Sequence, residues 1–360
     1  MNTSLRRALG AALLGALATT TLAACDGSDE ADSGGSKTVT LVSHESFALS
    51  PEVQKEFERK SGYKLKVLEN ADAGVAVNKA VLTKGHPEGD VLFGVDNTLL
   101  SRALDNDLFT PYEAKGLDRI PASVQYDRDK HRVTPVDTGE VCVNYDKKYF
   151  ADKKLAPPQT FDDLVKPQYK NLLVTENAAT SSPGLSFLLA TAARYGDDGW
   201  RDYWKKLKDN GVEVVDGWSQ AYNDRFSGSA GGKKAGGDRP LVVSYAGSPP
   251  AEVYYAKPQP KKAPTGVATG TCFRQTEFAG LLKGARNEEG GKALLDFLIS
   301  KRFQEDIPLN MWVNPVLKGA ELPKLFTEFG AKVDHPETMA PEKIAENREP
   351  WIKSWSSLVL

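Results

Sequence analysis

The most restrictive feature of this sequence is a repeated alternation of strand-like and helix-like segments. Short runs of apolar and β-branched residues predict strands, and the segments between them carry apolar residues at helical spacing. The first stretch alternates strand and helix over 38–43, 51–60, 63–68, 74–83, 90–95 and 97–104. Repeated βα units predict a parallel sheet wrapped by helices, with ligands bound beyond the carboxyl ends of the strands.

The same alternation resumes later in the chain and predicts a second α/β lobe. Its segments are strands at 172–174, 212–215 and 241–245, with helices near 184–195 and 199–209 and after Gly217. We predict a solvated loop between Gly228 and Gly237, a strand after Thr271 and a helix over 288–299. A terminal helix over 341–357 would pack through Ile344, Trp351 and Trp355. A chain of 360 residues with 31 Gly and 21 Pro fits a division into two lobes.

The charge pattern excludes one class of partner. The chain carries 46 basic and 48 acidic residues, and no basic run interrupts the body. A nucleic-acid groove needs clustered Lys and Arg to displace counterions from phosphate. We therefore expect no nucleic-acid partner.

The first residues have the composition of an export signal. Arg6 and Arg7 precede an apolar run from Ala8 to Leu17, and no acidic residue occurs within 1–24. The following Leu22-Ala23-Ala24-Cys25 resembles a bacterial lipobox, in which Cys25 is lipidated and becomes the first mature residue. Ordinary secretion is the alternative. Residues 25–37 are polar and Gly/Ser-rich, so they predict a flexible tether on the outer face of the cell membrane, with membrane contact through the lipid alone.

Two cysteines remain if Cys25 carries lipid. Cys142 and Cys272 both lie in strand-like segments of a chain that we expect to be exported and oxidised. A disulfide between neighbouring strands is one interpretation, and two buried free thiols are the other. Two Cys alone would leave a metal site short of ligands.

Aromatic and acidic side chains recur at predicted strand-to-helix turns, where a cleft between lobes would gather them. No enzyme motif accompanies them. Aromatic faces together with a carboxylate suit a flat organic cation, through stacking and cation–π attraction. The candidate ligand-binding residues at these turns are His44, Glu45, Asp96, Trp218, Tyr222, Tyr245, Ser248 and Trp312.

The segment Thr180–Gly184 has two interpretations. Hydroxyl groups and Gly before an apolar helix can present free backbone N–H groups to an anion, which adds Ser181, Ser182 and Gly184 to the candidate ligand-binding residues. The segment is equally typical of an ordinary N-cap with Pro183 in the first turn.

Six blocks of the body, in order, resemble the thiamine-binding subunit of bacterial ABC importers. The blocks are Ser46-Phe47, 94–100, 180–185, 217–222, 244–249 and 312–315. The resemblance implies an α/β, two-lobed periplasmic-binding-protein fold of type 2 topology, with two crossing strands at the hinge and the vitamin in the cleft. It implies stacking by Trp218, Tyr245 and Trp312, acidic recognition near Asp96, and hydroxyls of Ser181 and Ser182 near the alcohol or phosphate end of the ligand.

The same resemblance implies the organisation and partners of the protein. We expect lobe 1 over 38–141 and 246–335, lobe 2 over 142–245, and a C-terminal helix within 336–360 that packs on the body. The hinge would lie near 141–145 and near Tyr245, and ligand binding would close the lobes. An ABC permease and its ATPase are the implied partners. We expect a monomer without catalytic activity, cofactor or metal.

The sequence departs from the family pattern at two places. His44 and Glu45 stand where the family has an aromatic residue before Ser-Phe, and Pro250–Val253 separates Ser248-Pro249 from Tyr254-Tyr255. Adjacent tyrosines raise a rival hypothesis, ferric-iron binding as in carriers of the same superfamily, because phenolate is a suitable hard ligand for iron. A second rival is an exported enzyme that processes thiamine or a pyrimidine, for which a Cys nucleophile would be expected.

Overall fold

The computed structural model describes residues 37–360. The predicted signal peptide, the lipidation at Cys25 and the tether up to Ser36 lie outside the described residues. In the described part of the chain, no helix is both long enough and apolar enough to cross a bilayer.

The strands follow the predicted order closely in the first third of the chain. They are β1 Thr38–Ser43, β2 Lys64–Glu69, β3 Val91–Asp96, β4 Phe109–Thr110, β5 Thr134–Asp146, β6 Leu173–Glu176, β7 Glu213–Val215, β8 Leu241–Tyr245, β9 Thr265–Leu282 and β10 Asn314–Pro315.

Helices connect these strands and close the chain. They are α1 Pro51–Ser61, α2 Ala73–Leu82, α3 Leu100–Asp105, α4 Lys147–Asp152, α5 Phe161–Leu164, α6 Ser182–Asp209, α7 Ala230–Ala235, α8 Ser248–Tyr254, α9 Glu288–Leu298, α10 Lys301–Gln304, α11 Ile307–Asn310, α12 Lys324–Phe329 and α13 Pro341–Val359. A π-helical segment spans Gln220–Arg225, and 3-10 turns span Leu117–Arg119, Ala122–Val124 and Pro167–Tyr169.

One mixed sheet joins the strands in the order β2-β1-β3-β9-β5-β8-β6-β7, with β4 beside β9 and β10 beside β5. β1 pairs in parallel with β2 and β3, and β6 pairs in parallel with β7 and β8. The central strands β9 and β5 run antiparallel to each other and to their outer neighbours β3 and β8. The parallel pairing predicted from the βα units is therefore found in each lobe, and the antiparallel strands lie at the centre of the sheet. We call the part built on β1–β3 the first lobe and the part built on β6–β8 the second lobe.

The central strands β5 and β9 connect the two lobes. They pair from Thr134 beside Ala279 to Asp146 beside Thr265, with register shifts between Pro135 and Asp137 and between Val141 and Val143. The second shift leaves extra residues on β9 opposite Cys142, and a disulfide there joins Cys142 to Cys272. The interpretation as a bridge between neighbouring strands is confirmed.

The second central strand is long. The sequence has strand-like residues over 266–273 and predicts a strand after Thr271, and both belong to one strand, β9, which begins at Thr265. The pairs Val143–Ala268 and Asp146–Thr265 place this early part of β9 beside the second-lobe end of β5. The lobe boundaries given above and the hinge position near Tyr245 remain proposals.

Helix α6 has a break that the sequence had indicated as a gap between two helices. Gly196 has φ 77° and ψ 178°, so the helical path is interrupted there. Such a φ is readily adopted by glycine because it lacks a Cβ. Beyond the break, Trp204 packs edge-on against Trp355 of α13 with ring centroids 5.4 Å apart, and Trp200 lies 6.2 Å from Trp351. These buried indoles attach the terminal helix to the second lobe.

The Gly-rich segment 228–237 contains a short helix, so the prediction of a solvated loop is wrong. Ser229 caps α7 by accepting the Gly232 N–H at 2.8 Å, and its own hydroxyl donates to the Tyr222 carbonyl at 2.6 Å. A Cβ at Gly232 would collide with the Phe226 carbonyl. The glycines therefore allow close backbone packing against the π-helical segment, which composition alone did not indicate.

Candidate functional site

A cavity lies between the two lobes. Its walls come from the residues after β1, the loop before α2, the start of α6, the segment after β7, the end of β8, the start of α8, the middle of β9 and the turn after α11. The lining residues are His44, Glu45, Ser46, Asp72, Ala73, Ser182, Pro183, Trp218, Tyr222, Tyr245, Ser248, Ala251, Glu277, Met311 and Trp312. Most of them follow strand ends, as expected for an open α/β sheet.

The structure brings most of the predicted binding residues to this cavity. The lining set includes His44, Glu45, Ser182, Trp218, Tyr222, Tyr245, Ser248 and Trp312. Asp96, Ser181 and Gly184 do not line it. Whether any of these residues touches a ligand remains a prediction.

The three predicted residues outside the lining set support it from behind. The Asp96 carboxylate is buried and accepts hydrogen bonds from Ser182 Oγ at 2.8 Å and Gln275 Nε2 at 2.7 Å. Ser181 caps α6, and its Oγ accepts the Gly184 N–H at 3.5 Å. A Cβ at Gly184 would lie 2.6 Å from the Glu176 carbonyl oxygen, so glycine there allows α6 to approach β6.

Two carboxylates of the cavity were missed by sequence reasoning. Asp72 follows β2 and would have been found by the same strand-end rule that selected Glu45. Glu277 lies inside the long strand β9, where no local pattern distinguishes a cavity residue from an ordinary strand residue. Only the pairing of β9 with both β3 and β5 places Glu277 at the floor of the cleft.

Asp72 connects the two lobes across the cavity. Its Oδ1 accepts the N–H of Ser182 at 3.1 Å, and its Oδ2 accepts the N–H of Trp218 at 2.9 Å. Both donors belong to the second lobe, whereas Asp72 belongs to the loop between β2 and α2 of the first. Hydrogen bonds to a charged acceptor are stronger than neutral ones. A Cβ at Gly74 would lie 2.5 Å from the Thr180 carbonyl oxygen, so the lobes meet closely here.

Aromatic rings form the second-lobe wall of the cavity. The rings of Trp218 and Tyr222 stack with centroids 5.0 Å apart and an interplanar angle of 14°. Trp218 Nε1 donates to Ser244 Oγ at 2.9 Å, and Tyr222 OH donates to Glu252 Oε1 at 3.1 Å. Because their polar atoms are bonded away from the cavity, these rings present a fixed aromatic surface to it.

Tyr245 and Trp312 extend this aromatic surface. Burial, together with the nearby carboxylates led by Glu277, raises the pKa of Tyr245 well above its usual value, so the phenol stays neutral. Trp312 has φ 61°, in the left-handed region, and lies at ring distances of 5.5 Å and 5.8 Å from Tyr254 and Tyr255. Tyr254 and Tyr255 are themselves exposed. The turn that presents Trp312 is therefore backed by two further rings.

The first-lobe wall is acidic. Among the described lining residues, the acidic side chains are Glu45, Asp72 and Glu277, and His44 is the remaining ionisable side chain apart from the tyrosines. Burial and the charge of Asp72 raise the pKa of Glu45. Carboxylates brought this close to one another in a largely apolar cavity are stabilised by a cation between them.

A pair of carboxyl groups at the centre of the sheet reinforces this charge. Asp137 of β5 lies directly opposite Glu277 of β9. Burial, followed by the charge of Glu277, raises the pKa of Asp137 well above its usual value. The negative charge of one carboxyl group of this pair therefore disfavours the negative charge of the other. Burial also raises the pKa of Asp96, against the lowering effect of its hydrogen bonds from Gln275, Thr98 and Ser182.

The sequence of this chain is similar to those of known solute-binding proteins. Residues 87–328 match the family described as bacterial extracellular solute-binding protein. The thiamine-binding periplasmic protein of Escherichia coli (strain K12) is 29% identical over 328 residues, which cover 89% of this chain and 93% of that protein. The protein of the same description from Brucella suis biovar 1 is 27% identical over 323 residues, covering 88% of this chain and 91% of the relative.

Solved structures show the same architecture. A periplasmic thiamin binding protein aligns with a TM-score of 0.76 and 28% identity, covering 90% of this chain and 96% of the other. The ferric binding protein from Campylobacter jejuni aligns with a TM-score of 0.70 at 18% identity, covering 89% and 99%, and it shows the shared fold alone. The predicted two-lobed periplasmic-binding-protein fold and the resemblance drawn from the six motif blocks are both confirmed. The chain belongs to the bacterial extracellular solute-binding protein family.

Proposed function

We propose that this protein captures thiamine, or one of its phosphates, in the cavity between the lobes and delivers it to an ABC permease and its ATPase. The observation that carries the proposal is the composition of the two cavity walls. Stacked rings of Trp218 and Tyr222 face a wall that holds Asp72 and Glu277. A flat, positively charged heteroaromatic ligand would stack on one wall and neutralise the other. Relatives named as thiamine-binding periplasmic proteins support the same ligand.

The start of α6, at Ser182 and Pro183, lines one side of the cavity. Because a helix start carries partial positive charge, the alcohol or phosphate end of the ligand would lie there.

We further propose that the protein acts on the extracytoplasmic face of the membrane, held by lipid at Cys25, as a monomer and without catalysis. Names of periplasmic relatives support export. The enzyme hypothesis relied on a cysteine nucleophile, and Cys142 and Cys272 are joined in a disulfide away from the cavity lining. Neither offers a thiolate in this state.

The experiment is a titration of purified, ligand-free protein with thiamine, thiamine monophosphate and thiamine diphosphate. Intrinsic Trp fluorescence would report on Trp218, and calorimetry would give the stoichiometry. We expect saturable binding of one ligand per chain, with submicromolar affinity for at least one of the three. Absence of binding by all three to protein shown to be folded would contradict the proposal.

Ferric iron serves as the competing ligand in the same experiment. The adjacent tyrosines Tyr254 and Tyr255 are the basis of the iron hypothesis. In the structure their rings are nearly perpendicular to each other, at 85°, and both rings contact Trp312. Among residues 37–360, no group of three or more His, Cys, Asp or Glu side chains has the arrangement of a metal site. A visible charge-transfer band on adding ferric citrate, with no thiamine binding, would favour the iron carrier instead.

A further inference from the structure

His44 occupies a fixed position at the junction of the first lobe and the cavity. It follows β1, lines the cavity, and its ring centroid lies 5.5 Å from that of Phe93. Gly94, with φ 93°, lies beneath the ring at the register shift between β3 and β9, and a Cβ there would collide with the imidazole. The fold thus makes room for an imidazole at this position and restricts its movement.

The charged groups that act on His44 are all acidic. Its Nε2 lies 3.3 Å from Oε1 of Glu277 on β9. Asp72, before α2, and the adjacent Glu45 also act on the ring. β3 places Phe93 and Gly94 beside the ring and Asp96 opposite Glu277. Behind Glu277, Asp137 of β5 lies opposite it, and burial together with the charge of Glu277 raises the pKa of Asp137. A positive charge on His44 is therefore favoured when the cavity holds no other cation.

Two effects oppose that charge. Burial of the ring lowers the pKa of His44, and Nδ1 accepts the Ser46 N–H at 3.2 Å, which requires an unprotonated nitrogen. The hydrogen bond and charge of Glu277, with Asp72 and Glu45, outweigh burial and raise the pKa of His44 above its usual 6.5. The net direction thus favours the imidazolium in a cavity without another cation.

We infer that His44 links ligand capture to proton release: the imidazolium and the positive charge of the ligand compete for the Glu277 carboxylate, so each cation that enters displaces one proton from His44. The inference rests on the proposed function, since it needs a cationic ligand. The ring gives its proton from Nδ1 to solvent and recovers its hydrogen bond from the Ser46 amide. One positive charge enters and one leaves, so the charge of the cavity is conserved.

The sign of the pH effect follows from this exchange. Because the cation lowers the pKa of His44, the bound protein holds fewer protons than the free protein between the two pKa values. Affinity therefore rises with pH in that interval, by at most about tenfold per pH unit for one proton, and is flat on either side. Acidification would promote release of the ligand.

The test is isothermal titration calorimetry with thiamine from about pH 6 to pH 8, in pairs of buffers that differ in ionisation enthalpy. The proteins are the wild type, His44→Phe and the matched control His86→Gln, whose imidazole lies outside the cavity lining. We expect release of up to one proton by the wild type and by His86→Gln, and a pH-independent affinity without release in His44→Phe. A sloping affinity with proton release in His44→Phe, or binding by the wild type without release, would overturn the inference.

Glu45, Asp96 and Asp137 are the other carboxyl groups around the cavity whose pKa is raised. Asp137→Asn separates the pair of Asp137 and Glu277 from His44. The amide keeps a donor toward Glu277 but cannot titrate, so we expect Asp137→Asn to retain proton release. If release persists in His44→Phe and disappears in Asp137→Asn, the proton belongs to the carboxyl pair and the inference is wrong. Protonation of the thiamine pyrimidine would appear equally in all variants, so it cancels in the comparison.

A readout without variants keeps the inference testable if His44→Phe does not fold. Imidazole resonances of the wild-type protein, which contains four His, can be followed by NMR against pH with and without thiamine. We expect one titration midpoint to fall on ligand addition and the others to stay. If no His midpoint moves while thiamine binds, the inference fails; if thiamine does not bind at any pH, the proposed function fails instead.

Discussion

The two walls of the cavity are built from different chemistry on different lobes. The second-lobe wall consists of rings whose polar atoms are bonded away from the cavity, as Trp218 is to Ser244. The first-lobe wall holds the acidic side chains of Glu45, Asp72 and Glu277 together with His44, whose Nε2 lies 3.3 Å from Glu277 Oε1. The comparison indicates a division of roles: the aromatic wall would supply burial and stacking, and the acidic wall would select charge.

Asp72 is where the two walls are joined, and its replacement should have the largest effect on affinity. Asp72→Asn removes the charge that accepts the N–H groups of Ser182 and Trp218. A hydrogen bond to a charged group is worth about 1.5–3 kcal/mol, so we expect thiamine affinity to fall about a hundredfold. Calorimetry gives the affinity, and small-angle scattering should show a larger radius of gyration for the ligand-free variant.

The matched control for Asp72 is Asp296→Asn. Asp296 also accepts a backbone N–H, from Lys115 at 2.8 Å, and a hydroxyl, from Tyr112 at 2.9 Å, but it lies outside the cavity lining. We expect it to leave affinity and radius of gyration unchanged. If Asp72→Asn had the same thiamine affinity and radius of gyration as the wild type, the two walls would not be held together by this carboxylate.

Trp218 tests the aromatic wall alone. Trp218→Ala removes the ring that stacks on Tyr222, and we expect affinity to fall by more than about tenfold, from stacking worth roughly 1–2 kcal/mol plus lost burial. Trp218→Phe keeps a ring but cannot donate to Ser244, so its loss should be smaller. Equal affinity for wild type and Trp218→Ala, measured by calorimetry, would remove Trp218 from the site.

The disulfide should have the smallest effect on binding, because it lies outside both walls. Removing it through Cys142→Ser with Cys272→Ser should lower the free energy of unfolding by about 2–5 kcal/mol. We expect thiamine affinity to stay within about twofold, since neither cysteine lines the cavity. Chemical denaturation measures the first quantity and calorimetry the second. A large loss of affinity in protein that remains folded would mean that the central strands transmit their rigidity to the walls.

Most strands and helices of the fold could be predicted from local patterns in the sequence. Apolar and β-branched runs predicted β1, β2, β3, β6, β7 and β8, and the gap between two helical patterns coincides with the break at Gly196. The strand-end rule found the aromatic wall because Trp218 lies in the turn after β7 and Tyr245 is the last residue of β8. The Gly-rich segment was misjudged, because its helix depends on close packing against Phe226 and Tyr222.

The sequence by itself determined the βα alternation, the two cysteines able to pair, and the aromatic and acidic residues at the turns, since each is a local pattern of residue types. Only the tertiary structure decided the antiparallel centre of the sheet and the register that sets Glu277 beside Asp137 and within reach of His44. Positions 44, 137 and 277 are far apart in the chain, and no local preference specifies their contact. Their proximity arises from the pairing of β5 with β9 and of β9 with β3, which is a property of the folded sheet as a whole.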